Sequence, residues 1–430
     1  MLIPIRRSYW VGLVVLVLLL AACGASEKSD TGKKQATLQP TLNAVVSTPR
    51  PTFWPTAAAT GTGTAGSAAA TLDGTELITL EGYALGPETA SLTIVMYGDF
   101  QCELCARYAH DLEVLRNRYP DRVRLIWRHL PDTRAYDKSG LALQASEAAA
   151  AQNKFWEMHD QLFTHQSEWL PQTPDQFRVT LSQYAILVGL DLVRFDQELS
   201  SKMYEPVITT AQQDAAILGI AAPPVLLFNG IPYSGSDDLN GFDEAAQLAF
   251  LEERFFEHAP DITIDPEKNY RATIVTEKGN IVIDLFPRDA VVAVNNFIFL
   301  AQNGWYDNIT FHYVLPGFIA QTGDPSGTGR GMPGYTIPDE NFNGLKFDRA
   351  GLVAMARTQG VPNSAGSQFF ITLAPLHPEE EWDEKYTIFG VVVEGMDVVQ
   401  SLTPRNAYDP IRFPNPAPGD KVITITIEEF

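Results

Sequence analysis

Thr93-Ile94-Val95-Met96-Tyr97-Gly98-Asp99-Phe100-Gln101-Cys102-Glu103-Leu104-Cys105 is the stretch on which the reading of this chain turns. Ser91 to Tyr97 is a mostly apolar run of strand length, ended by Gly98-Asp99. Leu104, Tyr108, Leu112 and Leu115 then recur at the spacing of one helix face. A Cys-x-x-Cys at the start of a helix has a chemical logic. Unpaired backbone N–H groups and the helix dipole favour a thiolate at the first Cys, lowering its pKa to roughly 3.5–7.5. The second, one turn later, is close enough to resolve a mixed disulfide. A zinc site needs two more ligands, and the seven His include none beside a second Cys pair. A purely structural bridge across so short a loop stabilises little. The pattern predicts redox chemistry at Cys102 and Cys105.

Downstream, Val123 to Arg128 reads as a second strand, and helical patterns fill Leu141 to Leu218, including Lys154 to Phe163 and Met203 to Leu218. Val225 to Phe228 and Ile231 to Tyr233 flank Asn229-Gly230, a hairpin signal, and Phe242 to His258 reads as a closing helix. The whole segment resembles the DsbA-type thiol–disulfide oxidoreductases over roughly residues 76–258. The matches are the strand–Cys102–Cys105 block, Lys154-Phe155-Trp156-Glu157-Met158-His159, and Ala222-Pro223-Pro224-Val225-Leu226-Leu227-Phe228-Asn229-Gly230. The resemblance implies a thioredoxin fold with a helical insertion, Cys102 as nucleophile, Cys105 as resolving thiol and Pro224 as the cis-proline facing them. Glu103 sets a carboxylate beside the thiolate, which predicts a less acidic Cys102 than in the strongest oxidants. Pro223 lacks an N–H where that family pairs its backbone with the bound peptide.

Ala259 to Pro266 is polar and Pro-bounded, which predicts a linker at 259–265. The pattern beyond it changes to short strands with one clear helix, Ala290 to Asn303, and Ile423, Ile425 and Ile427 alternate with Thr as in a half-buried strand. Phe311-His312-Tyr313-Val314-Leu315-Pro316-Gly317-Phe318-Ile319-Ala320-Gln321, Asn363-Ser364-Ala365-Gly366-Ser367-Gln368-Phe369-Phe370-Ile371 and Tyr386-Thr387-Ile388-Phe389-Gly390 resemble three cyclophilin signatures, in order. Without them, the same aromatics read as barrel core. With them, residues 266–430 are expected to form an all-β, eight-stranded closed barrel with two helices. The resemblance implies a prolyl-peptide site at Tyr313, Phe318, Ile319, Gln321, Ala356, Arg357, Phe370, Trp382 and Tyr386. Active cyclophilins carry Arg where this chain has Tyr313, and that guanidinium acts toward the prolyl nitrogen. A phenol donates one hydrogen bond without a charge. The expectation is prolyl binding with weak or absent isomerisation.

The N-terminus reads as an export signal. Arg6 and Arg7 precede an uncharged, mostly apolar run from Tyr9 to Ala22, short against the roughly 20 residues that span a membrane. Leu20-Ala21-Ala22-Cys23 resembles the lipobox of bacterial lipoproteins, which implies lipidation of Cys23; an uncleaved anchor or an ordinary signal peptide remain alternatives. Residues 24–75 are rich in Thr, Ala, Gly, Ser and Pro and read as a flexible tether. The net charge of −21 argues against a nucleic-acid partner. No metal or cofactor is expected beyond the redox-active disulfide. The chain thus reads as an extracytoplasmic, membrane-anchored folding factor acting on exported polypeptides and recycled by a membrane redox partner. The rival is a non-catalytic chaperone or assembly lipoprotein using both folds for peptide binding.

Overall fold

The computed structural model describes residues 82–376, 382–406 and 419–430. The expected signal segment, Cys23 and the tether lie outside them. Among the described residues no helix is long and apolar enough to cross a membrane.

The first sheet runs in the order β1-β3-β2-β4-β5, from β1 (Tyr83–Leu85), β2 (Leu92–Gly98), β3 (Val123–His129), β4 (Val225–Phe228) and β5 (Ile231–Pro232). β2 and β3 are parallel, and the other pairs are antiparallel. The central strand is apolar because both its faces are covered. Ile94 and Met96 join the larger core, while Val95 and Tyr97 pack with Ile126, Leu130, Ala215 and Leu227 on the other side. The β4–β5 turn is made by Asn229 and Gly230 at φ 48° and 82°, the left-handed pair a tight hairpin requires. Asn229 also accepts a 2.8 Å hydrogen bond from Thr93 N through its side chain, tying the hairpin to β2.

Helix α1 (Glu103–Arg118) begins at the disulfide. Its buried residues are Cys105, Tyr108, Leu112 and Leu115, so Leu104, expected on the inner face, is instead 36% exposed. Cys105 fills that place because the inward stripe keeps a three–four–three spacing. Between β3 and β4 lies the helical insertion, α2 (Ser139–Ala150), α3 (Phe155–Thr164), α4 (Gln166–Trp169), α5 (Pro174–Leu187), α6 (Leu192–Ser200) and α7 (Glu205–Ile217). Helix α8 (Leu239–Leu251) packs on α1, with Tyr108 and Phe242 edge to face at 5.2 Å.

The closing helix stops at Leu251 rather than at His258, and a 3-10 turn covers Glu252–Arg254. The chain then runs as a strap against the second domain. Leu251 belongs to that domain's core cluster, and Phe255, Phe256, Ala259 and Ile264 pack on it. Phe256 N donates to Pro333 O at 2.9 Å, and Thr263 N donates to Asn295 Oδ1 at 2.9 Å. The segment expected as a linker is thus packed, because its few apolar side chains find a surface to cover.

Among the described residues the second sheet holds ten antiparallel strands, with β6 (Tyr270–Thr276), β7 (Gly279–Leu285), β8 (Ile309–Thr310), β9 (Tyr313–Leu315), β10 (Ile319–Thr322), β11 (Leu352–Met355), β12 (Phe369–Thr372), β13 (Ile388–Glu394), β14 (Arg405–Asn406) and β15 (Lys421–Glu429). Its order is β14-β9-β10-β12-β11-β13-β7-β6-β15-β8. β8 and β9 are almost consecutive in the chain, yet one pairs with β15 and the other with β10. The sheet is therefore curled. In place of a continuous eighth strand closing the expected barrel, there is this broken one. Helix α9 (Val291–Gln302) packs against β15, and the short α10 (Met396–Gln400) packs against β7.

Candidate functional site

Cys102 caps α1, and Cys105 N donates to Cys102 Sγ at 3.1 Å. A helix N-terminus thus faces the sulfur that would carry charge when the pair is reduced. Cys102 and Cys105 form a disulfide, with Cα atoms 5.1 Å apart. The Pro223–Pro224 bond is cis, and Val225 stands opposite Tyr97 in the sheet. That register brings Pro224 to the end of the sheet from which the Cys102 loop leaves.

The loop itself is held by residues the sequence did not single out. Buried Gln166, on the insertion, donates through Nε2 to Phe100 O and Cys102 O at 2.8 and 3.0 Å. Buried Asp99 accepts from Gln101 N, Asp132 N and Ser139 Oγ at 2.8, 2.8 and 2.5 Å. Burial pushes the Asp99 carboxyl up, against the pull of those three donors. Gln101 reaches the insertion as well, donating to Asp137 and accepting from Lys138 N. In the sequence Asp99 marks only the end of a strand, and Gln166 lies 64 residues from Cys102 with no local pattern to mark it.

Glu103 is the exposed first residue of α1. Glu103→His is expected to make the couple more oxidising, because losing a carboxylate beside Cys102 favours the thiolate and so the reduced form. A shift on the order of 30 mV, equivalent to about 1.4 kcal/mol, is the scale to resolve against a glutathione redox buffer. An unchanged potential would mean solvent screens this charge completely, and a lower one would overturn this account of Glu103.

In the second domain, seven of the nine residues expected at a prolyl site fall in a single buried cluster, separate from the barrel core. These are Tyr313, Phe318, Ile319, Ala356, Phe370, Trp382 and Tyr386. The sheet explains how. Tyr313 stands opposite Gln321, Gln321 opposite Phe370, and Phe370 opposite Ala354, so one transverse row shares a face across β9, β10, β12 and β11. Trp382 closes on this row, 5.7 Å from Phe318 and stacked on Tyr386 at 5.1 Å. Burial pushes the Tyr386 phenol up to about 12, against the Arg357 guanidinium. Phe347 and Leu376 also belong to the cluster, with no sequence signal to place them there, and Phe347 stacks on Phe370 at 5.9 Å. Among the described residues no group of three or more His, Cys, Asp or Glu is placed to hold a metal ion.

This arrangement has known counterparts. The family model for cyclophilin type peptidyl-prolyl cis-trans isomerases matches residues 271–424. Two proteins named peptidyl-prolyl cis-trans isomerase-like 1, from Aspergillus fumigatus and Aspergillus niger, are 46% and 42% identical over 131 and 160 residues. The matches cover 30% and 36% of this chain, and 78% and 92% of theirs. The chain belongs to the cyclophilin family. A thioredoxin family model matches residues 79–247, so a thioredoxin-like domain precedes the cyclophilin domain. The Na(+)/H(+) antiporter NhaA 1 of Mycolicibacterium vanbaalenii is 39% identical over 158 residues, 36% of this chain and 24% of that protein. A crystal structure of a Cryptosporidium parvum cyclophilin type isomerase, 32% identical, covers 37% of this chain and 98% of its own, with a TM-score of 0.33.

Two arginines of the cyclophilin domain lie in sequence near its signature blocks, and both are engaged elsewhere. Arg357 donates to the Lys385 carbonyl and, at 2.9 Å, to Val361 O, with Asp339 at 3.7 Å and the Tyr386 ring 5.3 Å from its guanidinium carbon. Arg330 pairs with Glu244 at 2.9 Å. The position taken by Arg in active cyclophilins is held by Tyr313, buried in the cluster.

Proposed function

We propose that the chain is an extracytoplasmic folding factor, lipid-anchored through Cys23, whose thioredoxin-like domain is a DsbA-type oxidoreductase and whose cyclophilin domain binds prolyl segments of the same clients. The Cys102–Cys105 disulfide at the N-terminus of α1, which follows the central strand of the sheet, is the observation that carries the reading. As an oxidant, the pair works in two exchanges. A client thiolate attacks Cys102 Sγ, forming a mixed disulfide and releasing the Cys105 thiolate. The client's second thiolate then attacks its own sulfur in that mixed disulfide, forming the client disulfide and releasing the Cys102 thiolate. Two electrons pass to the pair, and a membrane redox partner must remove them before the next cycle. Running backwards, the same steps reduce a client. Exposed Leu104 offers apolar surface next to the sulfurs.

Disulfide exchange and X-Pro isomerisation are both slow steps in folding exported chains, which gives the fusion its logic. The isomerase relatives support turnover in the second domain. Tyr313 favours the reading in which that domain binds prolyl segments with little catalysis. The deciding measurement is the reduction potential of the Cys102–Cys105 couple in the full chain. A value near −120 mV indicates disulfide donation and one near −270 mV reduction. A pair that fails to exchange with glutathione at any poise would remove the redox assignment and leave a peptide-binding module.

A further inference from the structure

One loop of the cyclophilin domain is hydrogen-bonded to Gln368 beside the row and is ion-paired to the thioredoxin-like domain. The segment Asp324–Gly331 wraps around the buried carboxylate of Asp324. One oxygen accepts from Ser326 N and Ser326 Oγ at 2.8 and 2.6 Å, the other from Gly329 N and Gly331 N at 2.7 and 3.0 Å. The carbonyls of Gly329 and Gly331 are left pointing at Gln368, whose Nε2 donates to both, at 3.0 and 2.8 Å. Gln368 Oε1 in turn accepts from Gln321 Nε2 at 2.9 Å.

This chain of bonds has a polarity. A carbonyl can only accept, so two carbonyls oblige the Gln368 amide to present its NH2 to the loop. Its oxygen must then face Gln321, which must present its own NH2 to Gln368. What remains is Gln321 Oε1, buried and without a hydrogen-bond partner among the described groups, between Tyr313 and Phe370 in the row. A buried acceptor left unmet is unfavourable, and a ligand N–H would satisfy it.

Arg330 sits between the two clamping carbonyls, and its side chain leaves the cyclophilin domain to meet Glu244 on α8 at 2.9 Å. Both partners are about two-thirds shielded from solvent. A second contact from α8 reaches the same loop, since a Cβ built at Gly331 would come within 2.7 Å of Leu251. We infer that Glu244 is a positioning residue for the prolyl site: through Arg330 it holds the loop whose carbonyls fix the Gln368 and Gln321 amides, so that Gln321 offers an acceptor to a substrate N–H. This rests on the reading of the row as a prolyl-peptide site. The thioredoxin-like domain is then part of the second site and more than a neighbour on the same tether.

The test uses the full chain with Glu244→Arg, Arg330→Glu and the exchanged pair carrying both. Two readouts are followed: affinity for succinyl-Ala-Ala-Pro-Phe-p-nitroanilide, and the side-chain 15N–1H amide resonances of Gln321 and Gln368. Each single variant is expected to weaken the peptide about threefold to fivefold, the scale of a partly exposed ion pair, and to shift both amide resonances. The exchanged pair should recover both, while insulin reduction stays unchanged throughout. Unmoved resonances in the single variants would overturn the relay. Shifted resonances with unchanged peptide affinity would overturn the positioning role. If the unmodified chain binds no prolyl peptide but the resonances move and recover, the prolyl reading fails and the relay stands.

Discussion

Cys102→Ser is expected to reduce insulin-reducing activity to the uncatalysed rate, while Cys105→Ser accumulates client proteins as mixed disulfides. The two sulfurs are not equivalent. Cys102 is the N-cap of α1 and accepts the Cys105 backbone N–H, so a charge on it is met by the helix N-terminus. Cys105 is the first residue of the buried stripe and has no exposed surface, whereas Cys102 keeps 3%. An incoming sulfur therefore meets Cys102 first, and the leaving thiolate is Cys105. With Cys105 replaced, nothing inside the protein displaces the client, and the covalent complex persists on a non-reducing gel. The variants should fold, since Ser is smaller than Cys and both positions keep their backbone bonds. Equal alkylation of both thiols in the reduced protein, with activity surviving Cys102→Ser, would exclude this assignment.

Tyr313→Arg is expected to raise the rate of prolyl isomerisation by about 10²–10³, the usual worth of one aligned donor in a preorganised site. Rotation about an X-Pro amide crosses a barrier of roughly 18–20 kcal/mol. A guanidinium aimed at the prolyl nitrogen is better matched to the twisted amide than to the planar one, so its effect falls on the rate. The remaining site is already assembled in this chain. The Phe318 and Phe370 rings lie 5.7 and 6.4 Å from that of Trp382, and Gln321 stands directly opposite position 313. Neither Arg357 nor Arg330 supplies a substitute, because both are bonded elsewhere. The full chain is the right material. An isolated segment 266–430 would lose Leu251, Phe255 and Phe256 from its core cluster. Position 313 is almost fully buried, so a new charge there carries a desolvation cost, and the thermal midpoint should be measured alongside the rate. An unmodified chain turning over as fast as ordinary cyclophilins, indifferent to Tyr313→Arg, would show that another group provides the donor.

Much of this molecule was legible along the chain, and the reason is physical. The apolar run before Cys102, the stripe Tyr108–Leu112–Leu115 and the Asn229-Gly230 turn are local patterns, readable because strand pleat, helix period and left-handed turn residues depend on neighbours in sequence. The pairing of Cys102 with Cys105, and the choice of Tyr313, Gln321 and Phe370 as candidates for a prolyl site, came from short blocks that resemble families. Local pattern also misled. Leu104 has the right spacing for the inner face, yet the helix turns Cys105 inward instead. The segment 259–265 is polar enough for a linker, yet its Ala259 and Ile264 pack on the second domain's core, as Phe255 and Phe256 do just before it.

Tertiary structure alone decided the rest. Gln166 and Ser139 steady the Cys102 loop from an insertion far down the chain, and nothing in their own surroundings announces it. Tyr313, Gln321 and Phe370 come from three strands, and their alignment depends on register across the sheet. Glu244 and Arg330 belong to different domains, and their meeting depends on how α8 ends and how the strap beyond it lies. Each of these is a contact between residues distant in sequence. Its partner is chosen by packing and hydrogen-bond satisfaction across the folded chain, which no window of sequence contains.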